Sequence, residues 1–211
     1  MTVTGVIPVT KARSKIMIDG EFSFVLYRGE IRHYHICAGE DMEEEVYREI
    51  CETVLPKRAK KRCLMLLQKR DYTEEELRRK LRDGLYPASS IDEALLYVKD
   101  CDYVNDRRYC EDYMHCYGGQ RSEKRITADL LKKGVDRGMI QQVFGDLREQ
   151  GELGNEEEII IQCLKKKHFD FHETDPKKIR KMVSHLQYKG FSFSTISRVL
   201  GNLLDMEQDN V

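Results

Sequence analysis

The chain has 211 residues, of which 40% are hydrophobic and 35% are charged, and it contains no Trp. Its formal net charge of −1 excludes bulk attraction to a polyanion as the basis of its function. Its seven cysteines form no CxxC pair and no apolar run approaches the length of a membrane span, so we expect a cytoplasmic protein with reduced thiols and no membrane partner.

The first part of the chain, residues 1–56, is predicted to form a small antiparallel β-sheet followed by a helix. Asp19-Gly20 is a strong hairpin signal between two alternating runs in "KIMIDGEFSFVL". The stretch "EIRHYHIC" continues the alternation and is predicted to be a further strand. Apolar residues four apart predict a helix over 42–54, and Pro56 predicts a bend before the next element.

The remainder of the chain is predicted to be entirely helical, with helices in groups of three. This grouping divides it into repeats over residues 57–105, 106–155 and 156–211. The predicted helices cover 57–69, 74–83, 90–101, 106–117, 123–133, 137–150, 156–167, 176–189 and 194–204.

Recurring start and stop signals support this internal repeat. The middle helix of each group begins after a capping residue, namely Thr73, Ser122 or Asp175. It ends near a glycine suited to the left-handed position after a helix, and an isoleucine then opens the third helix. These glycines are Gly84, Gly134 and Gly190. The wider second spacing is expected to be taken up by the loop around "FDFHETD". The predicted fold is mainly α, with tandem three-helix repeats stacked into an elongated, curved array.

Few residues suggest catalysis or metal binding. No GxxxxGK[ST] or GxGxxG loop is present, so the chain lacks the phosphate-binding loops of nucleotide enzymes. His33, His35 and Cys37 share one face of the predicted strand, but three close residues without a fourth ligand favour an exposed sheet face over a metal site. His115 and Cys116 are adjacent on a helix and therefore point in different directions. We therefore expect a protein that is not an enzyme and that binds neither a metal ion nor a cofactor.

The strongest candidate for binding is a recurring cluster of basic residues. Residues 57–82 carry eleven bases against four acids, and the middle helix of the second repeat is also basic. Such residues can bind phosphates or an acidic protein face, or they can simply form a solvated helix surface. The candidate partner-binding residues are Arg58, Lys61, Arg78, Arg79, Lys124, Arg125 and Lys133.

Several stretches in order along almost the whole chain resemble the RecX family of bacterial RecA regulators. They are "RAKKRCLMLLQKRDYTEEELRRKL", "IDEALLYVKDCDYVNDRRYCEDYM", "KRITADLLKKGVDRGMI" and "YKGFSFSTISRVL". The N-terminal "DGEFSFVLYRGEI" resembles the extension of Gram-positive members. Two departures are visible: Asp102 stands where the family usually has glycine, and the loop after Gly84 is one residue longer than its counterpart after Gly134.

The resemblance implies a non-catalytic protein that binds RecA and lies along RecA–single-stranded-DNA filaments. Members of the family alter ATP hydrolysis, strand exchange and co-protease activity, most often as inhibitors, in DNA repair and the SOS response. We therefore expect a monomeric RecA regulator that makes at most weak direct contact with DNA. The alternative is a direct DNA-binding protein that uses its basic helical repeats.

Overall fold

The computed structural model describes residues 1–170 and 175–208, which belong to two compact units. Unit 1 spans residues 1–105 and unit 2 begins at residue 106. Unit 1 contains a sheet and helices, whereas the described part of unit 2 is helical. The predicted fold class, a mainly helical chain preceded by a small antiparallel sheet, is confirmed. The division into four parts stays a prediction.

Unit 1 opens with three antiparallel strands in sequential order, β1 (Val3–Pro8), β2 (Arg13–Ile18) and β3 (Glu21–Tyr27). The hairpin between β2 and β3 is confirmed, since Asp19 and Gly20 both have positive φ, at 50° and 88°. Strand β1 was not predicted, because Gly5 and Pro8 interrupt its β-branched run; Gly5 lies where the register shifts.

The predicted strand at "EIRHYHIC" is wrong. This stretch instead forms most of a short helix, α1 (Arg28–His33), followed by a turn in which His35 has a φ of 52°. The Glu30 carboxylate accepts a hydrogen bond from the Tyr27 N–H at 2.7 Å, which caps the helix start. His33, His35 and Cys37 therefore share no strand face.

The predicted bend at Pro56 is also wrong, because one helical rod runs through this residue. It consists of α2 (Glu44–Glu49), a π-helical segment (Ile50–Val54) and α3 (Leu55–Leu67). In the π segment the Leu55 N–H donates to the Ile50 carbonyl, five residues back, instead of four. Pro56 has no N–H to donate to the preceding turn, and it follows this π-helical segment directly, so the change in hydrogen bonding occurs next to the proline. The predicted boundary after residue 56 falls inside this rod.

Each of the predicted repeat helices has a counterpart in the structure. Beyond α3, their bounds are α4 Glu74–Asp83, α5 Ala88–Asp100, α6 Asp106–Tyr117, α7 Glu123–Lys132, α8 Arg137–Glu149, α9 Glu156–Lys166, α10 Pro176–Tyr188 and α11 Phe193–Gln208. The predicted caps are confirmed: the side chains of Thr73, Ser122 and Asp175 accept hydrogen bonds from first-turn N–H groups. Residues 171–174 of the predicted long loop lie outside the described residues.

The helix stops agree with prediction in two of three places. Gly134 and Gly190 take positive φ, at 88° and 97°. In the first repeat Gly84 has a φ of −76°, and Leu85 takes the left-handed position instead, with a φ of 62°. Leu85 therefore corresponds to Gly134, and the loop that seems one residue longer after Gly84 has the same length as its counterpart when both are counted from the left-handed residue.

Four apolar clusters form the core, and the predicted isoleucines anchor the helical ones. Ile91, Ile140 and Ile196 open α5, α8 and α11 and are at most 2% exposed. The sheet packs on the rod through Ile50 and Leu55. The sheet and α3 are thus held firmly enough to shape a surface between them.

Candidate functional site

An open groove of about 1020 Å³ runs along α3 within unit 1. Its base is a stripe of α3 residues spaced by about one helical turn, which brings basic and apolar side chains to one face. The α3 residues lining it are Lys57, Arg58, Lys61, Arg62 and Met65. We call this feature the basic groove.

Neighbouring elements form the walls of the basic groove. Arg13 of β2 and Tyr27 at the end of β3 lie on the sheet side. Lys80 and Asp83 of α4 lie on the other side, with Tyr86 from the following loop. The π-helical segment contributes Thr53 and Val54. The groove therefore depends on the sheet and the first helical repeat together.

The basic groove carries an excess of uncompensated positive charge. Five cations line it that make no ion pair with any residue the structure describes, and four of them are exposed. They are Arg13, Lys57, Lys61, Arg62 and Lys80, with Arg13 half-buried. Two carboxylates, Glu30 and Asp83, also line the groove. Such an arrangement favours a partner with acidic groups.

Arg58 lies in the basic groove but holds unit 1 together. Its side chain is 16% exposed and pairs with Glu30 at 2.8 Å. It also donates to the Val25 carbonyl at 2.5 Å, and its guanidinium lies 4.9 Å from the ring centroid of Tyr27 and 5.4 Å from that of Tyr86. Burial raises the pKa of the Tyr86 hydroxyl, although Arg58 opposes the shift. Arg58 therefore joins sheet, α1 and α3.

The other predicted residues of unit 1 have different surroundings. Lys61 is exposed in the basic groove. Arg78 lies outside it and pairs with Asp92 at 2.5 Å and with Glu74 at 3.4 Å. The hydrogen bond to Asp92 is the main cause of a raised pKa for Arg78. Arg79 is exposed and has no ion pair among the described residues, but it does not line the groove.

In unit 2, two of the predicted residues lie on α7 and the third directly follows it, and two of the three contact other side chains. Arg125 pairs with Asp129 at 3.2 Å and lies 5.5 Å from the ring centroid of Tyr188. The Lys133 ammonium lies 5.3 Å from the ring centroid of Tyr109. Lys124 is exposed and makes no ion pair within the described part of the chain. The seven predicted residues thus do not form one set of available cations.

The start of α7 is in close contact with the end of α10. The Ser122 N–H donates to the Lys189 carbonyl at 3.1 Å. A Cβ atom at Gly190 would lie 2.4 Å from Ser122 Oγ and 2.5 Å from Arg125 Cβ. Gly190 is therefore required both for its backbone conformation and for this close approach.

The candidates for other chemistry do not converge. No group of three His, Cys, Asp or Glu side chains among the described residues is placed to hold a metal ion. His115 contacts Glu152, with 2.6 Å between Nε2 and the carboxylate, rather than a thiol. Burial raises the pKa of the Cys63 thiol to about 11 and that of Cys110 to about 12, which disfavours the nucleophilic thiolate.

Sequence reasoning missed four groove residues, Arg13, Lys57, Arg62 and Lys80. The last three belong to the basic stretches already noted, and helical spacing could have selected the α3 members, since Lys57 is four residues before Lys61 and Arg62 is four residues after Arg58. Nothing local indicates Arg13, because its place in the groove depends on how the sheet packs on the rod.

Two family models match separate parts of this chain, and known proteins are similar to it over most of its length. Residues 59–97 match the model of the first three-helix domain of RecX, and residues 155–200 match that of the third. Regulatory protein RecX of Clostridium acetobutylicum is 29% identical, with 90% of this chain and 89% of the relative covered. That of Clostridioides difficile is 25% identical, with 94% and 93% covered.

Two solved structures share the fold. A crystal structure of regulatory protein RecX has a TM-score of 0.53 at 17% identity, covering 94% of this chain and 98% of the other. The RecX structure from Lactobacillus salivarius has a TM-score of 0.54 at 23% identity, covering 71% and 96%. Within the described residues, no helix has the length and apolar character needed to cross a membrane.

Proposed function

Because the chain belongs to the RecX family of regulatory proteins, we propose that it binds the RecA recombinase and RecA filaments on single-stranded DNA. Binding inhibits ATP hydrolysis, strand exchange and co-protease activity by RecA, and so acts in DNA repair and the SOS response. The protein itself is non-catalytic, works as a cytoplasmic monomer and needs no cofactor.

The observation that supports this proposal is the basic groove. Elsewhere in unit 1 many cations are already paired, as Arg78 is with Asp92 and Lys60 is with Glu93. In the groove, Lys57, Lys61 and Arg62 are exposed and lack ion pairs with the described residues. A partner can therefore bind these cations without breaking ion pairs inside the protein.

Binding through the basic groove depends on several charges acting together. An exposed ion pair contributes about 0–1 kcal/mol, so one cation is not enough to hold a partner. Five cations around one groove can together provide several such contacts, and they can orient the approaching partner. Loss of one lysine should have little effect, whereas reversal of several should weaken binding strongly.

The uncompensated cations also favour a second function, direct binding to DNA through phosphate contacts. The two functions differ in their dependence on RecA and on salt. Binding to DNA alone should weaken steeply as salt rises, because bound counterions are released from the phosphates. A regulator of RecA should act on filaments at concentrations where it does not bind bare DNA.

The test is the rate of ATP hydrolysis by RecA on single-stranded DNA as the protein is added. A groove variant carries Lys57→Glu, Lys61→Glu and Arg62→Glu. We expect the wild-type protein to slow hydrolysis and the groove variant to need at least about tenfold more protein, a change of about 1.4 kcal/mol.

A matched control variant reverses three exposed cations outside the groove, with Arg79→Glu, Lys124→Glu and Lys181→Glu. It has the same net charge as the groove variant and should inhibit RecA to within about twofold of wild type. No effect of the wild-type protein on RecA would overturn the proposed function. Equal loss in both variants would remove the basic groove from the proposal.

A further inference from the structure

We propose that the basic groove binds a segment of polypeptide that carries both acidic and apolar side chains. This inference rests on the proposed function, and it identifies the contacted part of the filament as a segment of RecA and not as DNA. The observations that favour protein over nucleic acid are the distribution of charge, the apolar surface and the use of the aromatic rings.

The charges in the groove are better matched by separate carboxylates than by a continuous row of phosphates. Asp83 lies in the wall formed by α4, and Glu30 lies beside Arg58. Glu30 is compensated by Arg58, but a phosphate backbone running through the groove would pass Asp83 at close range, which is repulsive. A peptide can place its acidic residues near Lys57 and Lys61 and its neutral residues near Asp83.

The groove also contains an apolar surface with no obvious role in folding. Met65 is 48% exposed on α3, one turn beyond Lys61, and Val54 lines the groove from the π-helical segment. Methionine adapts its shape to irregular partners and is common at surfaces that bind peptides. An exposed methionine among lysines matches a ligand that alternates apolar and acidic side chains.

The aromatic rings of the groove are not arranged for stacking of bases. Proteins that bind single-stranded nucleic acid without sequence preference usually offer free ring faces in a row. Here Arg58 lies against both Tyr27 and Tyr86, and Tyr86 packs partly into the core of the first repeat. Among the described residues, the groove has no row of free rings.

The size of the groove suits a short peptide. Its volume of about 1020 Å³ lies just above the range of about 300–1,000 Å³ that is usual for small-molecule sites. From Lys57 to Met65 the helix rises about 12 Å, which equals the length of about four extended residues. About two turns of an amphipathic helix, or a short extended segment, fit this length.

The test places a photocrosslinking residue, p-benzoylphenylalanine, at position 65 of the full-length protein. The protein is irradiated on RecA filaments assembled on oligo-dT, and crosslinked products are identified by mass spectrometry. We expect a crosslink to a RecA segment that is rich in Asp and Glu and contains apolar residues. The crosslink should be lost when Lys57→Glu, Lys61→Glu and Arg62→Glu are added, and it should remain with Arg79→Glu, Lys124→Glu and Lys181→Glu.

A peptide of the crosslinked sequence then provides a second measurement. Its affinity for the full-length protein, measured by fluorescence anisotropy, should fall about fivefold with Met65→Ala and recover with Met65→Leu, because the apolar contact is restored. A crosslink to oligo-dT, or to a RecA segment without excess acid, would overturn the inference. So would the absence of any crosslink on filaments whose ATP hydrolysis the protein still inhibits; absence of inhibition as well would instead contradict the proposed function.

Discussion

Unit 1 and unit 2 each present a cluster of cations on a repeat helix, but the clusters differ in what surrounds them. Along α3 the cations Lys57, Lys61 and Arg62 project into an open groove. Around α7, Arg125 pairs with Asp129, and its backbone is covered by the end of α10. Arg125 is engaged both by an acid of its own helix, Asp129, and by the Tyr188 ring at the end of α10. A cluster of cations is therefore a candidate site only where no internal acid or ring engages it.

The largest effect should come from disrupting the covered cluster in unit 2. Gly190→Ala adds a Cβ that collides with Ser122 and Arg125, and it also imposes a positive φ of 97° on alanine. We expect a loss of about 3 kcal/mol in the free energy of unfolding of unit 2. The measurement is urea unfolding of the full chain, followed by hydrogen exchange of the amides of α7 and α10.

The control for this change is Gly151→Ala in the same unit. Gly151 has a φ of 72°, but a Cβ there would meet nothing within 4 Å. Gly151→Ala should therefore introduce backbone strain but no collision, and the expected loss in the free energy of unfolding is about 1 kcal/mol. Equal losses at both positions would mean that the contact between α7 and α10 does not require a glycine.

The second-largest effect should distinguish Arg58, which stabilises unit 1, from the cations of the basic groove that are available to a partner. Arg58→Ala removes the partner of Glu30 and the donor to the Val25 carbonyl, so we expect unit 1 to lose about 2 kcal/mol of unfolding free energy. Lys61→Ala, on the same helix face, should change it by less than about 0.5 kcal/mol. Urea midpoints measured by circular dichroism check both. If Arg58→Ala left the free energy of unfolding unchanged, Arg58 would not be needed for stability and would count among the cations available to a partner.

A smaller effect concerns the turn after α4, where unit 1 lacks the glycine that unit 2 has. Leu85 is half-buried, is not part of a core cluster and has a φ of 62°, whereas Gly134 serves the same position in unit 2. Leu85→Gly should therefore raise stability by about 0.5 kcal/mol, because relief of strain exceeds the added freedom of the unfolded chain. Leu85→Ala keeps the strain and should give no gain. A rise in thermal midpoint for alanine alone would contradict this account.

The smallest expected effect is that the stability of unit 2 depends on pH through His185. Burial lowers the pKa of His185, and Lys189 and Lys167 lower it further. The folded state therefore prefers the neutral imidazole, and its stability falls as the pH drops below the ordinary histidine pKa, where the unfolded chain takes up the proton. The protection factors of the α10 amides, which correct for slower intrinsic exchange at low pH, should fall between pH 7.5 and pH 5.5 by more than they do in His185→Gln. Identical pH dependence in the two proteins would show that His185 contributes nothing.

The sequence predicted the parts of the fold that depend on local signals. Helix starts at Thr73 and Ser122 were predictable because a cap and its first-turn partner are neighbours in the chain. The strand β1 was missed because Gly5 and Pro8 interrupt its run. The helix α1 was missed because the alternation in its sequence favours a strand, whereas Glu30 caps the helix and pairs with Arg58, 28 residues away. The same holds for the candidate site. The number of charged residues could be counted in the sequence, but which of them form ion pairs depends on the tertiary structure.

The continuous helical rod through Pro56 has a consequence for folding during synthesis. Phe24 and Leu26 of the sheet complete their core only with Ile50 and Leu55 of the rod, and the rod in turn packs the first helical repeat through Cys63. The strands therefore leave the ribosome well before the residues that bury them. We expect the N-terminal sheet to remain an exposed nascent segment until the start of α3 emerges, and the first repeat to complete its core only later, when α4 and α5 follow.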